Sequence, residues 1–243
     1  MLDGSDEIVG RDIQHGKVAY RFQWNKSNHK RLGASEGDLS SLWAHLLAIR
    51  AGKLPEEPFS SPFYTRASVL KFTKMANHRR VGLRNKLMKK GKVQSIIDHD
   101  LVSKLREYHR ARNDDTYTAD HVILQDFLLH DPASIAIEVP VWSERFGLSG
   151  HVDLVRFVDD EIQVCDYKPG KLDNTSKRFL DSIPQVAAYG EMMTHHLAGT
   201  LRSADESVLL PKVTCCIFDT HSCWQFGADL FITLQASNII EGI

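Results

Sequence analysis

No apolar run in the chain approaches the roughly 20 residues that a membrane-spanning helix needs, and there is no internal repeat or low-complexity tract. These absences set aside a helical membrane protein and a repeat array. Cysteine is scarce. Cys165, Cys215, Cys216 and Cys223 are the only thiols in 243 residues, with no C-x-x-C pair and no disulfide-like framework. Cys215 and Cys216 fall in the apolar run Val213–Phe218 and read as buried reduced thiols. His15, His29 and His45 have no ligand-like spacing. The first residues, MLDGSDEIVGRD, are acidic and lack the basic-then-apolar order of a signal peptide. The expected location is therefore the cytoplasm, with no membrane association.

What is present is the composition of a globular protein, 42% apolar and 25% charged. The length suits one domain with an extension. A net charge of −1 conceals a division along the chain. From Arg66 to Arg112 there are fourteen Lys or Arg against three acids, a balance of +11, whereas the residues from Asn113 onward carry −12. A basic run is commonly a solvated face. Its concentration in one segment suggests instead a polyanion held by one half of the chain and acted on by the other, and nucleic acid is the natural polyanion.

The stretch GHVDLVRFVDDEIQVCDYK, residues 150–168, organises the rest. Apolar and polar residues alternate on both sides of Asp159-Asp160, which predicts a β-hairpin with a two-residue loop. Val158 then faces Glu161, and counting outward places Asp153 opposite Asp166, with Lys168 on the same face. Two directly opposed carboxylates repel each other. One reading is a solvated outer face. The apolar run Ile162–Cys165 argues instead for a buried strand, where a divalent cation would offset the repulsion.

Three successive motifs, GHVDLV, CDYKPG and PQVAAY, resemble those of the PD-(D/E)XK nuclease superfamily. The similarity is to its RecB-like branch, which includes CRISPR-associated RecB-like exonucleases and the mitochondrial genome maintenance exonuclease. The resemblance implies an α/β fold with a restriction-endonuclease-like core: a mixed central sheet flanked by helices, with a helical basic N-terminal region. It implies that Asp153 and Asp166 bind Mg2+ or Mn2+, with Lys168, Gln185 and Tyr189 completing the catalytic set. Ile135, Ile137, Val139 and Val141 alternate as a strand that leaves Glu138 on the opposite face, a further ligand candidate or else a rim residue.

Phe63–Leu83 resembles the first helix of such exonucleases, with Ser68 as N-cap. Asn77-His78 stand where many CRISPR-associated members carry a cluster-binding cysteine, and no iron–sulfur cluster is expected. Leu87–Arg112 is expected to continue as a helix with Ile97, Leu101, Leu105 and Tyr108 on one stripe. Gln94 and Ser95 follow Gly91 where the family has a metal-binding histidine, so His99 or His109 would have to substitute. Lys171–Asp181 reads as a polar loop, and Ser182 with Pro184 opens the helix bearing Gln185 and Tyr189. His195-His196 are expected at that helix's terminal carbonyls. DNA contacts are expected from Arg79, Arg80, Arg84, Lys89, Lys90, Lys92, Lys171, Lys177 and Arg178.

These readings divide the chain into an extension, residues 1–61, and a nuclease domain, residues 62–243, with a basic helical part at 66–112 and a catalytic core at 133–234. In the extension, Leu39–Ile49 reads as a helix capped by Asp38, followed by a linker from Gly52 to Pro62, and the extension could dock a protein partner. The function expected is metal-dependent hydrolysis of DNA, as an exonuclease on single strands or ends, in repair, recombination or CRISPR-type processing. Two other readings stay open: a nucleic-acid-binding module with a decayed site, and an accessory subunit of a DNA-processing complex.

Overall fold

The computed structural model of the protein describes residues 7–15, 18–34, 39–112, 122–169, 175–201 and 211–242. In chain order the elements are β1 (Ile8–His15), β2 (Val18–Asn25), α1 (Lys26–Ala34), α2 (Ser40–Ala51), the single turn α3 (Glu57–Ser60) and β3 (Thr65–Arg66). A 3₁₀ turn (Ala67–Val69) leads to β4 (Lys71–Phe72), α4 (Asn77–Lys89), β5 (Gln94–Ile96), α5 (Asp100–Arg112) and α6 (Val122–His130). The second half comprises β6 (Ser134–Ser143), β7 (Leu148–Val158), β8 (Glu161–Tyr167), α7 (Thr175–Leu201), β9 (Lys212–Phe218), β10 (Cys223–Gly227), α8 (Leu230–Ala236) and β11 (Ile240–Glu241).

Among the described residues, nine strands form one mixed sheet in the order β1-β2-β6-β7-β8-β9-β10-β5, with β3 pairing alongside β7. β8 and β9 run parallel, joined by the crossover that contains α7. This is the expected α/β architecture. Helix α7 packs Phe179, Ile183, Val186 and Met193 on one side. On the other, Leu101 and Leu105 of α5 and Leu124 and Phe127 of α6 cover Leu154, Cys165 and Phe218. Covered on both faces, β8 is buried along nearly its whole length, as central strands between helical layers are. Among the described residues no helix is long and apolar enough to cross a membrane.

The hairpin has the register read from the sequence. Val158 pairs with Glu161, and the ladder runs to Leu154 opposite Cys165. Asp159 and Asp160 both have left-handed backbones, φ 48° and 62°, as a two-residue turn that follows the strands' twist requires. Residues 8–25, whose function the sequence does not reveal, add two strands to this sheet through pairing of Gln23 and Trp24 with Ile137 and Ala136. Asp38 lies outside the described residues. Helix α2 ends at Gly52, whose φ of 69° lets its N–H reach back to Ala48 and Ile49.

Four local expectations are corrected. Ser68 caps no α-helix: it lies in the 3₁₀ turn, because Lys71 and Phe72 pair with Glu241 and Ile240, and α4 starts at Asn77. The helix expected over 87–112 is broken at Gly91 (φ 66°), and Gln94–Ile96 becomes an edge strand on β10. Ile97 consequently lies outside the apolar stripe, 62% exposed, and Val102 joins Leu101 and Leu105 instead. Helix α7 begins at Thr175, so Pro184 is inside it. Its missing N–H leaves one helical carbonyl without a donor, a loss outweighed by the buried apolar faces around it. His196 does not cap α7: its Nε2 accepts the Trp142 N–H at 3.0 Å, and its ring stacks on His45.

Arg156 of β7 is fully buried beneath α5 and α6. Its Nε donates to Asp131 at 2.8 Å, Nη1 donates to Gln163 at 2.8 Å, and Nη2 binds Asp100. Burial by itself would raise the Asp131 carboxyl. Arg156, Ser134 and Lys104 outweigh it and hold that group below its ordinary range. Stabilisation from a depressed carboxyl is present above its unfolded value near pH 4 and is lost as pH falls through the folded value.

Two predictions arise from this scaffold. Asp160→Gly removes left-handed strain and should stabilise the fold by about 0.5–1 kcal/mol, a rise of about 2–4 °C per kcal/mol in thermal melts. A lower melting temperature would contradict the turn assignment. Arg156→Met strands Asp131 and should cost about 3–5 kcal/mol in denaturant unfolding at neutral pH. That deficit should shrink in acid as the orphaned carboxyl takes up a proton. A deficit independent of pH would show that the pair contributes packing alone.

Candidate active site

One step beyond Leu154–Cys165 the register opposes Asp153 to Asp166. The backbone ladder stops there, and the Tyr167 N–H donates to Asp153 Oδ2 at 3.2 Å instead. On the other side of β7, the pairs Ile137–Leu154 and Val139–Val152 bracket Glu138 and set it opposite Asp153. Glu138 has a left-handed backbone, φ 54°, uncommon for a residue within a strand and of a kind that concentrates at functional sites. Lys168 Nζ lies 2.7 Å from Asp166 Oδ2, and its backbone is fixed by an N–H···O bond to Phe218. The hairpin register, with the break in alternation at Glu138, thus gathers three carboxylates and one ammonium on the α7 face, away from Leu154 and Cys165.

Helix α7 contributes Gln185 and Tyr189, one turn apart. Gln185 Nε2 donates to the Tyr189 hydroxyl at 3.0 Å. The Tyr189 ring lies against Gly150, where a Cβ would overlap it, so the glycine three residues before Asp153 admits the tyrosine to the site. Burial, and then the negative charge of Asp153, raise the Tyr189 hydroxyl and keep it a protonated donor.

The electrostatics show what is missing. Burial, then Asp166 and Glu138, push the Asp153 carboxyl well above the ordinary range. Burial also raises Asp166, with Lys168 pulling in the opposite sense. Asp166 is 1% exposed while Asp153 keeps an opening to solvent. Three carboxylates against Lys168 and the more distant charge of Arg178 leave negative charge uncompensated, and hard oxygen ligands suit a divalent cation. Their oxygens do not form a closed cage, since among the described residues they include no three ligand atoms within 4.8 Å of one another. A cation that keeps several waters and takes one or two carboxylates fits that spacing.

Of the remaining residues expected at the site, His99 is not brought there. It lies across the sheet beside Cys216 and Cys223. His109 sits in the last turn of α5 against Tyr108. The basic residues divide. Arg80 and Arg84 of α4 line a recess of about 580 Å³ with Lys177, and Arg80 pairs with Asp181. A groove of about 870 Å³ continues past Lys71 and Lys74 to Ser182 and Gln185. Arg79 is exposed at the start of α4. Arg178 binds the Pro169 carbonyl and acts on Asp166. Lys89 and Lys90 lie at the far end of α4, and Lys92 pairs with Asp229 at 3.0 Å beside the hairpin tip. Lys171 lies outside the described residues.

Two residues were missed. His151 precedes Asp153 by two in β7, but alternation does not place it, because Gly150 and Val152 meet the α7 layer while Leu154 faces the opposite one. The Tyr20 ring lies tilted against His151 with centroids 3.7 Å apart, and burial with the nearby charge of Glu138 raises its hydroxyl. Nothing in the sequence signals Tyr20, because β2 reaches the site only through long-range pairing with β6.

In comparisons with known proteins, the model for the PD-(D/E)XK nuclease superfamily matches residues 77–214, more than half of the chain. A search of curated proteins found no match. The matched span contains the acid pair, Lys168, Gln185 and Tyr189, and nucleases of this superfamily typically use divalent metals.

A raised carboxyl destabilises the metal-free fold above its unfolded value near pH 4. Asp153→Asn keeps an acceptor for the Tyr167 N–H and removes that charge. With EDTA at neutral pH it should melt higher by on the order of 2–4 °C, about 1 kcal/mol. A lower melting temperature would mean that Asp153 is not under electrostatic strain.

Proposed function

The chain belongs to the PD-(D/E)XK nuclease superfamily, and from that premise we propose that it is a metal-dependent deoxyribonuclease of the RecB-like branch. Its substrates are single-stranded DNA or DNA ends, and it acts as an exonuclease in repair, recombination or CRISPR-type processing. The observation that carries this reading is the convergence of Asp153, Asp166 and Lys168 on the sheet face that α7 covers, with Gln185 of that helix also lining a groove that holds Lys71, Lys74 and Arg80.

Asp153 and Asp166, with Glu138 beside them, are the residues that would hold Mg2+ or Mn2+. When bound, such a cation supplies Lewis-acid polarisation of the phosphodiester and neutralises its charge. Lys168, held by Asp166, offsets negative charge that builds on the phosphate in the transition state and orients the attacking water. Gln185 fixes the Tyr189 hydroxyl, so that its proton points away from the amide and toward the acid pair. Arg178, Lys177 and the groove lysines neutralise backbone phosphates, which positions DNA without reading its sequence. Residues 1–61 are an extension that supplies Tyr20 to the wall of the site and leaves a surface for a protein partner. Neither His99 nor His109, the candidates to replace the family's metal-binding histidine, stands beside the acids, which favours a second reading, a binding module with a decayed site.

Linear and circular single-stranded DNA incubated with Mg2+, Mn2+ or EDTA separates these readings. Metal-dependent loss of the linear form alone supports the exonuclease. Lys168→Ala should lower kcat by roughly 10²–10³-fold with DNA binding retained. Loss of both forms means endonuclease action. If neither form is cut while DNA binds with a steep salt dependence, the binding module replaces the nuclease.

A further inference from the structure

Three of the four cysteines and one histidine converge on the face of the sheet opposite the acids. Cys216 of β9 stands beside Cys165 of β8 in the parallel register, their thiols within hydrogen-bonding reach. Cys223 opens β10, and its thiol also meets Cys216. His99 closes the group from the turn ahead of α5: one ligand atom each of His99, Cys216 and Cys223 all lie within 4.8 Å of one another. The thiols are buried, and the His99 side chain is 9% exposed. Cys215 takes no part. Alternation turns it to the other face, where its thiol points to the Val186 carbonyl at 3.4 Å.

We propose that His99, Cys165, Cys216 and Cys223 form a structural zinc site. Zinc favours four sulfur and nitrogen ligands in a tetrahedron, at about 2.3 Å for sulfur and about 2.0–2.1 Å for nitrogen, which places ligand atoms roughly 3.3–3.8 Å apart. For His99, Cys216 and Cys223 the present spacing reaches that by a contraction of about 1 Å, within the reach of cysteine and histidine rotamers; Cys165 meets Cys216 but stands outside that trio, and its side chain must turn toward it to complete the set. Three sulfurs and an imidazole select a borderline-soft ion over the hard cation that suits the carboxylates opposite.

The surroundings of His99 supply a second, independent observation. Nδ1 lies 3.0 Å from Asp100 Oδ1. The Leu101 N–H is closer to that carboxylate oxygen, at 2.9 Å, than to Nδ1, at 3.2 Å. Nδ1 is therefore the donor to Asp100, and Nε2 is left for the metal. A carboxylate behind a ligating imidazole is the usual support for zinc. Here it is itself held by Lys104 and Arg156.

Binding displaces the three thiol protons to solvent, so occupancy falls as pH falls. The ion would fasten the approach to α5 to β8, β9 and β10. Cys165 directly precedes Asp166, so the site braces from behind the strand that presents the acid. It is independent of the nuclease reading, because none of its four ligands faces the acids.

The test is metal content of the full chain, purified with reductant and without chelator. One zinc per chain is expected, unchanged in Asp166→Ala and lost in Cys216→Ser and His99→Ala. Asp100→Asn should weaken zinc by about 10–100-fold. If the ligand variants do not fold, the wild-type chain answers alone: chelator should release the zinc, expose reactive thiols and lower the melting temperature. Cobalt added in its place should give a sulfur-to-metal charge-transfer band. No zinc and no such band, iron in its place, or a Cys216–Cys223 disulfide under the same reducing conditions would each overturn the proposal.

Discussion

The pairing of Val158 with Glu161 fixes which face of the sheet every residue of β7 and β8 occupies. A slip of one residue would exchange the faces of one strand. Asp166 would then enter the apolar layer of Leu154 and Phe218, and Cys165 would meet the acids. Helices cover both faces of β8, so neither face is a neutral alternative. The two aspartates at the turn therefore bear on chemistry some five residues along β8, roughly 16 Å away. By accepting left-handed backbones they hold the loop at two residues.

Buried charge is handled differently on the two sides of this sheet. Behind it, Arg156 meets Asp131, Asp100 and Gln163, and the partners close on one another. A satisfied network of that kind locks geometry, joining the ends of α5 and α6 to β7 and β8. In front, the carboxylates Glu138, Asp153 and Asp166 outnumber Lys168 and Arg178, the cations that act on them. The fold accepts this repulsion on its α7 face and compensates charge fully on the other. That asymmetry distinguishes the two sides of the sheet in a way burial alone would not, and it is the ground for proposing the front as the side of a cation and a phosphate.

What the sequence disclosed follows the range of the interactions. Asp153, Asp166 and Lys168 could be placed on one face because period-two alternation across a tight turn is local, and Gln185 with Tyr189 because one helical turn is local. Glu138 is picked out by the alternation of its own strand, but that alternation breaks at its left-handed backbone: Ile137 faces the α5 and α6 layer while Val139 and Val141 join the α7 layer. The errors lie where distant pairing overrode local preference. Gln94–Ile96 became a strand because β10 offered an edge, and Phe72 left the expected helix to pair with Ile240. Tyr20 could not be foreseen, since its place beside Glu138 depends on Gln23 meeting Ile137 across more than a hundred residues.

The basic segment shows why charge counted along a chain overstates charge presented to a ligand. Its lysines and arginines are contiguous in sequence, but the turn at Gly91 sends them to different places. Arg80 and Arg84 stay with Lys177 beside the groove that leads to Gln185, while Lys92 is carried to the hairpin tip and neutralised by Asp229. Arg80 is likewise partly offset by Asp181. The positive charge along the groove therefore comes from a subset on α4, joined by Lys71 of β4 and Lys74 of the link that follows it. That subset is one-sided. It leads along the groove to Gln185, which gives the groove a direction that the net charge of the segment does not contain.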